Sequence, residues 1–217
     1  QVASDRVEDN FAAKSSRLSL ARLAIDVLPE KIRANCRVTH LKVLNLKHNR
    51  LELLPSELFL CVTQLEELDV SENCLSYLPE AIGGATKLRE LRLRGNDLRN
   101  LPGGLCHLHA LEILDLARNS LERLPTTVAE CLNLRWLDLA QNCLEEIPRE
   151  AGLLVKLEHI HLSGNPVRQM PLFIERLHTK GELLRSKSRR QKLVGRALQV
   201  RGSVRAAFVS KCLHDSH

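Results

Sequence analysis

Aromatic residues are scarce in this 217-residue chain: one Trp, one Tyr and four Phe make up 3% of it. Any core must therefore be aliphatic, and the 44% hydrophobic content supplies enough side chains to build one. A chain rich in Leu and poor in rings points to many similar layers rather than one irregular core. No apolar run approaches the length of a membrane span, and no intact signal peptide is visible. The seven cysteines contain no C-x-x-C pair, which argues against a zinc ribbon or a dithiol redox site. Phosphate-binding G-x-x-x-x-G-K-S/T, H-E-x-x-H and G-x-S-x-G are all missing as well. The expectation is a chain that is not an enzyme, with no catalytic residue, no cofactor and no metal.

Negative charge is missing from one end. Residues 178–217 hold ten Lys or Arg against only Glu182 and Asp215, whereas the remaining residues hold 22 basic and 24 acidic groups. The net +6 and the sequence pI of 9.1 thus belong to the tail. Such asymmetry suits a tail that meets an anionic partner.

What the chain has in abundance is one repeated frame. Leu-Pro, Ile-Pro or Met-Pro recurs at prolines 29, 55, 79, 102, 125, 148 and 171, at intervals of 26, 24 and then four times 23 residues. Leu41-x-x-Leu44-x-Leu46-x-x-Asn49-x-Leu51-x-x-Leu54-Pro55 is the first full copy, and five more follow, with asparagines at 73, 96, 119, 142 and 165. The Leu44-x-Leu46 alternation marks a short strand with both leucines pointing to one side. The asparagine stands where the strand turns, with an amide able to donate to and accept from stranded backbone groups. The proline opens the return segment, where no backbone donor is needed. One such repeat buries too little to offset its own ordering, so repeats must stack into a coil of parallel strands. Cys61 and Cys131 take a position that is aliphatic elsewhere (Leu108, Leu154, Leu177) and are expected to be small buried hydrophobes.

This frame resembles the 23-residue intracellular leucine-rich repeats of Ras-group plant proteins and of scaffolds such as scribble and erbin. The resemblance implies an α/β solenoid: a right-handed coil with a parallel β-sheet on its concave face and irregular or short helical segments on the convex side. The solenoid is expected over 18–177, a degenerate cap repeat and six regular ones, between a polar N-terminal extension (1–17) and a basic C-terminal tail (178–217). The cap repeat, Leu18-x-Leu20-x-x-Leu23-x-Ile25-x-x-Leu28-Pro29, carries Leu23 where Asn belongs. Ser163-Gly164-Asn165-Pro166 is similar to the ending common in the family. Extracellular relatives close their ends with cysteine-rich caps, which this chain lacks, so a reducing compartment is expected. The expected location is intracellular and cytoplasmic, or alternatively a mitochondrion or other organelle after loss of a targeting segment. The start at Gln1 rather than Met reads as a processed, tagged or truncated end.

Outward-pointing strand positions form columns across the repeats. One runs Asn45, Asp69, Arg92, Asp115, Asp138, His161; its neighbour runs Val43, Glu67, Glu90, Ile113, Trp136, His159; a third runs Lys47, Ser71, Arg94, Ala117, Ala140, Ser163. Trp136 stands beside Ile113 and Asp138, and tryptophan and arginine are the residues interfaces favour. Trp136, Asp138, Asp115, Arg92, Asp69, Ile113, His159 and His161 are therefore the candidate partner-binding residues, with a solvated, laterally paired face as the plainer alternative. His159-x-His161 near Asp138 lacks a third placed ligand for a metal.

In the tail, Leu193, Ala197, Val200, Val204 and Ala207 recur at helical spacing, which makes the segment a candidate helix despite Gly195 and Gly202. Lys187, Arg189, Arg190, Lys192, Arg196, Arg201 and Arg205 suit an anionic partner such as RNA or an acidic protein. Two readings result. One is a leucine-rich-repeat scaffold or adaptor for protein–protein interaction, one copy within a larger complex. The other is a structural subunit of an organellar ribosome or another ribonucleoprotein, anchored by the tail. The second requires RNA binding that weakens steeply with salt and disappears when residues 180–211 are removed. Filter-binding affinity unchanged by that truncation would sink it.

Overall fold

The computed structural model describes residues 2–33 and 39–168. Seven three-residue strands form one parallel sheet in chain order: β1 (Arg17–Ser19), β2 (Val43–Asn45), β3 (Glu67–Asp69), β4 (Glu90–Arg92), β5 (Ile113–Asp115), β6 (Trp136–Asp138) and β7 (His159–His161). Their central residues Leu18, Leu44, Leu68, Leu91, Leu114, Leu137 and Ile160 pair directly and are all buried. The two flanking residues of each strand from β2 onward are half-buried and face the other way. The frame's other aliphatics, from Leu20 to Leu162, complete one continuous core. The chain thus folds as the α/β leucine-rich solenoid that the spacing predicts.

Each frame asparagine joins two repeats. Asn96 accepts a hydrogen bond from the Leu75 N–H at 3.0 Å and donates to the Val70 carbonyl at 3.1 Å and the Leu93 carbonyl at 2.9 Å. Asn73, Asn119, Asn142 and Asn165 repeat this arrangement, one repeat apart. Asn49 serves the cap repeat, accepting from the Leu23 and Ile25 N–H groups and donating to the Leu20 carbonyl. Because every asparagine reaches backward, the first repeat needs none of its own. At that position Leu23 packs against the core instead.

The residue just before each asparagine bends the chain into the turn. His48, Glu72, Gly95, Arg118, Gln141 and Gly164 occupy this position, and Arg22 its equivalent before Leu23, all with φ between 54° and 77°. Only two are glycine, so five side chains hold a left-handed conformation that costs roughly 1 kcal/mol or more apiece. The asparagine network that follows each turn is what offsets that strain.

On the return side each proline from 55 to 148 precedes a short helix, and its carbonyl accepts the first bond of that turn. The 23-residue repeats use 3-10 turns, at 103–107, 126–130 and 149–153, and a further one spans 80–84. The repeat between Pro55 and Pro79 is one residue longer and forms an α-helical segment, Ser56–Cys61, which places Phe59 fully in the core. Glycines let these turns pack closely. A Cβ on Gly83 would lie 2.7 Å from the Gly104 carbonyl oxygen, and one on Gly84 would lie 2.8 Å from that of Phe59. Cys61 and Cys131 are buried as the frame predicts, and burial pushes the Cys131 thiol up to about 12.

The N-terminal segment departs from expectation. Residues 1–17, read as a polar extension, include an α-helix, α1 (Val2–Ala13), and strand β1 begins at Arg17 rather than beyond the segment. Val7 on α1 is fully buried, and the Asn10 amide donates to the Arg17 carbonyl at 2.7 Å. The physical reason is the open end of the stack: the apolar layer under β1 has no preceding repeat, so a helix covers it. The frame's last segment, from residue 169 to 177, lies outside the described residues, as does the basic tail.

If the asparagine ladder holds the stack, Asn96→Ala strands three backbone groups in a dry interior. The expected loss is about 2–4 kcal/mol of unfolding free energy, read from urea melts. A loss below about 0.5 kcal/mol would show that the ladder is dispensable.

Candidate functional site

The in-register sheet turns equal frame positions into true spatial neighbours. Strand pairing sets Ile113 against Trp136 and Asp115 against Asp138, then Trp136 against His159 and Asp138 against His161. Six of the eight predicted partner-binding residues are thereby gathered on β5, β6 and β7. Trp136 is half-buried rather than open. Its ring centroid lies 4.8 Å from that of His159 and 4.9 Å from that of His161, the latter edge-on. His161 Nδ1 sits 3.2 Å from Asp138 Oδ2, with both side chains largely enclosed.

The aspartates also have a local structural job. Asp69, Asp115 and Asp138 each use Oδ1 to accept the N–H two residues on, from Ser71, Ala117 and Ala140, at 2.9, 3.1 and 2.9 Å. This closes the turn at the end of each strand. For Asp138 the second oxygen remains for His161. Burial pushes the Asp115 carboxyl above its usual range; the Ala117 hydrogen bond opposes this, and the neighbouring Asp138 charge adds to it. β5 and β6 therefore present two adjacent carboxylates, and Arg94 and Arg92 partly offset the charge at Asp115.

The other half of the face is internally paired. Arg92 and Asp69, the remaining predicted residues, lie on β4 and β3, where Arg92 NH2 contacts Glu90 at 2.5 Å and Arg17 lies 3.9 Å from Glu67. The third column is not an open surface throughout: Ser71 and Ala117 are buried, because the chain is already turning inward there. His107 sits in the convex 3-10 turn at 103–107 and takes no part. Among the described residues no group of three or more His, Cys, Asp or Glu side chains is placed to hold a metal. The tail residues Lys187, Arg189, Arg190, Lys192, Arg196, Arg201 and Arg205 lie outside the described residues.

One column escaped the sequence reading. The residues just before each strand are Lys42, Glu66, Arg89, Glu112, Arg135 and Glu158, with strictly alternating charge. Lys42 bonds Glu66 at 2.9 Å and holds its carboxyl below the usual range. Glu112 lies 3.9 Å from both Arg89 and Arg135, and Arg135 reaches Glu158 at 3.2 Å. Exposed pairs of this kind stabilise little individually. Their effect is to neutralise one rim of the face. The signal was present as an alternation with the repeat's period.

A family model described as leucine rich repeat matches residues 39–98 and 109–167. Comparison with curated proteins gives no match. Among solved structures, a leucine-rich-repeat protein of Leptospira interrogans is 34% identical over 74% of this chain, with a TM-score of 0.69. The ectodomain of an Arabidopsis thaliana membrane receptor kinase, in complex with Casparian strip integrity factor 2, is 30% identical over 70%, with a TM-score of 0.61. The leucine-rich effector YopM of Yersinia pestis is 27% identical over 78%, with a TM-score of 0.60. The chain spans only 40%, 18% and 43% of these three structures, respectively.

The Asp115 environment has a pH signature with a definite sign. Its folded pKa lies above the unfolded one, so the native state holds the proton more tightly, and stability falls as pH rises through that interval. Asp115→Asn keeps an oxygen for the Ala117 N–H and removes the charge. Its urea midpoint should exceed that of the parent at pH 7 and converge with it at pH 3; an equal difference at both would refute the assignment.

Proposed function

The chain belongs to the leucine-rich-repeat family, and on that premise we propose that it is a non-enzymatic scaffold whose concave face, over β5–β7, docks a protein partner. The observation that carries this reading is the cluster in which Trp136, His159 and His161 pack together beside Asp138 and Asp115. A half-buried tryptophan fixed by neighbouring rings loses little freedom on contact, the property of an interface anchor. The chemistry matches a protein segment that lays a Lys or Arg against the two carboxylates and the indole face. The plant receptor kinase ectodomain, similar in fold, is solved in complex with Casparian strip integrity factor 2, which supports the reading of a binding module.

The finer assignment is to the 23-residue intracellular type. It rests on the repeated 23-residue intervals and on five described cysteines that form no disulfide, two of them, Cys74 and Cys143, exposed. Exposed thiols suit a reducing compartment, and cytoplasm is the proposed location. No helix among the described residues is long and apolar enough to cross a membrane. The comparisons lend no support to the ribonucleoprotein alternative.

Affinity capture with the parent chain and with Trp136→Ala in parallel identifies the partner whose recovery depends on this face. For that partner, titration should show at least a tenfold weaker Kd for Trp136→Ala and for Asp138→Ala, about 1.4 kcal/mol or more. Unchanged affinity in both variants, with the fold intact by circular dichroism, rejects the concave-face reading.

A further inference from the structure

The flank of the solenoid, away from the concave face, carries a second ordered feature. Two residues before each proline, the frame places an exposed side chain. In the first three repeats these are Val27, Leu53 and Tyr77, which are 62%, 48% and 52% exposed. The same position then changes character to Asn100, Arg123 and Glu146. The neighbouring leucines Leu28, Leu54 and Leu78 are all buried, so the three repeats are in register here. Cross-repeat bonds from the Arg50 N–H to the Ile25 carbonyl and from the Cys74 N–H to the Leu51 carbonyl hold them together just upstream. Val27, Leu53 and Tyr77 therefore form one apolar stripe along the stacking direction, not three scattered hydrophobes.

The borders of this stripe are mainly acidic, with Lys31 beside Glu30. Asp26 and Glu52 lie immediately before it, and Glu30 and Glu57 lie just past the prolines, all four of them exposed. No ion pair among the described residues engages these carboxylates. This contrasts with the rim of the concave face, where Glu66, Glu112 and Glu158 each have a basic neighbour in an adjacent repeat.

We propose that this stripe is a docking surface for an amphipathic α-helix with basic flanks, supplied by a partner protein and lying along the stacking axis. Charge complementarity argues for the basic flanks. Dimensions argue for the helix: parallel repeats stack about 4.8 Å apart at their strands, and a helix rises about 5.4 Å per turn. An apolar ridge at i, i+4 and i+7 thus offers one side chain to each of Val27, Leu53 and Tyr77, while Lys or Arg on either side meets the acids. An extended strand matches the stripe less well, because its same-face side chains recur about every 6.8 Å. This surface is independent of the concave cluster and of the partner proposed for it.

The test uses the full chain and a fluorescent synthetic helix of about four turns, with a Leu ridge flanked by Lys, read by anisotropy. A control peptide of equal charge carries Ser in place of the ridge. The expected result is saturable binding of the Leu peptide, at least tenfold weaker binding of the Ser peptide, and loss of affinity with rising salt. Leu53→Ser/Tyr77→Ser should weaken binding at least tenfold, and Glu52→Gln/Glu57→Gln should weaken it while flattening the salt dependence. Trp136→Ala should leave it unchanged, which separates this surface from the concave one. These positions are exposed, so the variants are expected to fold, and circular dichroism checks that they do. Equal binding by Leu53→Ser/Tyr77→Ser overturns the proposal. So does a concentration-dependent dimer of the parent chain that the same double variant abolishes, since the stripe would then be covered by a second copy.

Discussion

The side-chain amide of the frame asparagine is the interaction on which the rest depends. A strand of only three residues cannot satisfy its own turn, and the turn is buried between two neighbouring turns. Each amide solves this by donating to two carbonyls and accepting one N–H, tying its own strand end to the repeat before it. This direction of reach makes the stack polar in a structural sense. The first repeat receives the service of Asn49 and provides none, which is why Leu23 is tolerated there. It also leaves an open apolar layer at the N-terminal end, which α1 covers with Val7.

Everything functional on the surface is a consequence of register. Because each strand pairs without slippage, a property repeated every 23 to 26 residues becomes a line on the surface. Alternating charges become a neutral rim, paired aspartates become adjacent carboxylates, and three apolar residues become a stripe. The same register sets costs. Asp115 and Asp138 close equivalent turns and so stand on neighbouring strands; burial raises the proton affinity of Asp115, and the Asp138 charge adds to it.

The two faces divide the solenoid unequally. Toward the N-terminal end the concave positions are balanced by Arg17 and Arg92, and the flank carries acids that no ion pair among the described residues engages, around an apolar line. Toward the C-terminal end the concave face carries the rings and carboxylates, and the flank turns polar. The two surfaces therefore lie toward different ends of the stack.

The sequence by itself determined the architecture, because stacking amplifies a local pattern: each Leu and Asn of the frame faces the same neighbours in every repeat. It told which strand residues point inward and that Cys61 and Cys131 are core residues. The sequence reading missed α1, because a single short helix outside the repeat has no second copy to mark it. What only the tertiary structure decided was the state of each outward side chain. The left-handed turns at Arg118 and Gln141, where Gly95 and Gly164 are the visible hint, come from the ring of bonds around each asparagine rather than from those residues' own preference. The burial of Ser71 and Ala117, the packing of Trp136 on two imidazoles and the raised carboxyl of Asp115 likewise depend on side chains one repeat away. Their directions are set by contact across the stack, and no one-dimensional period encodes them.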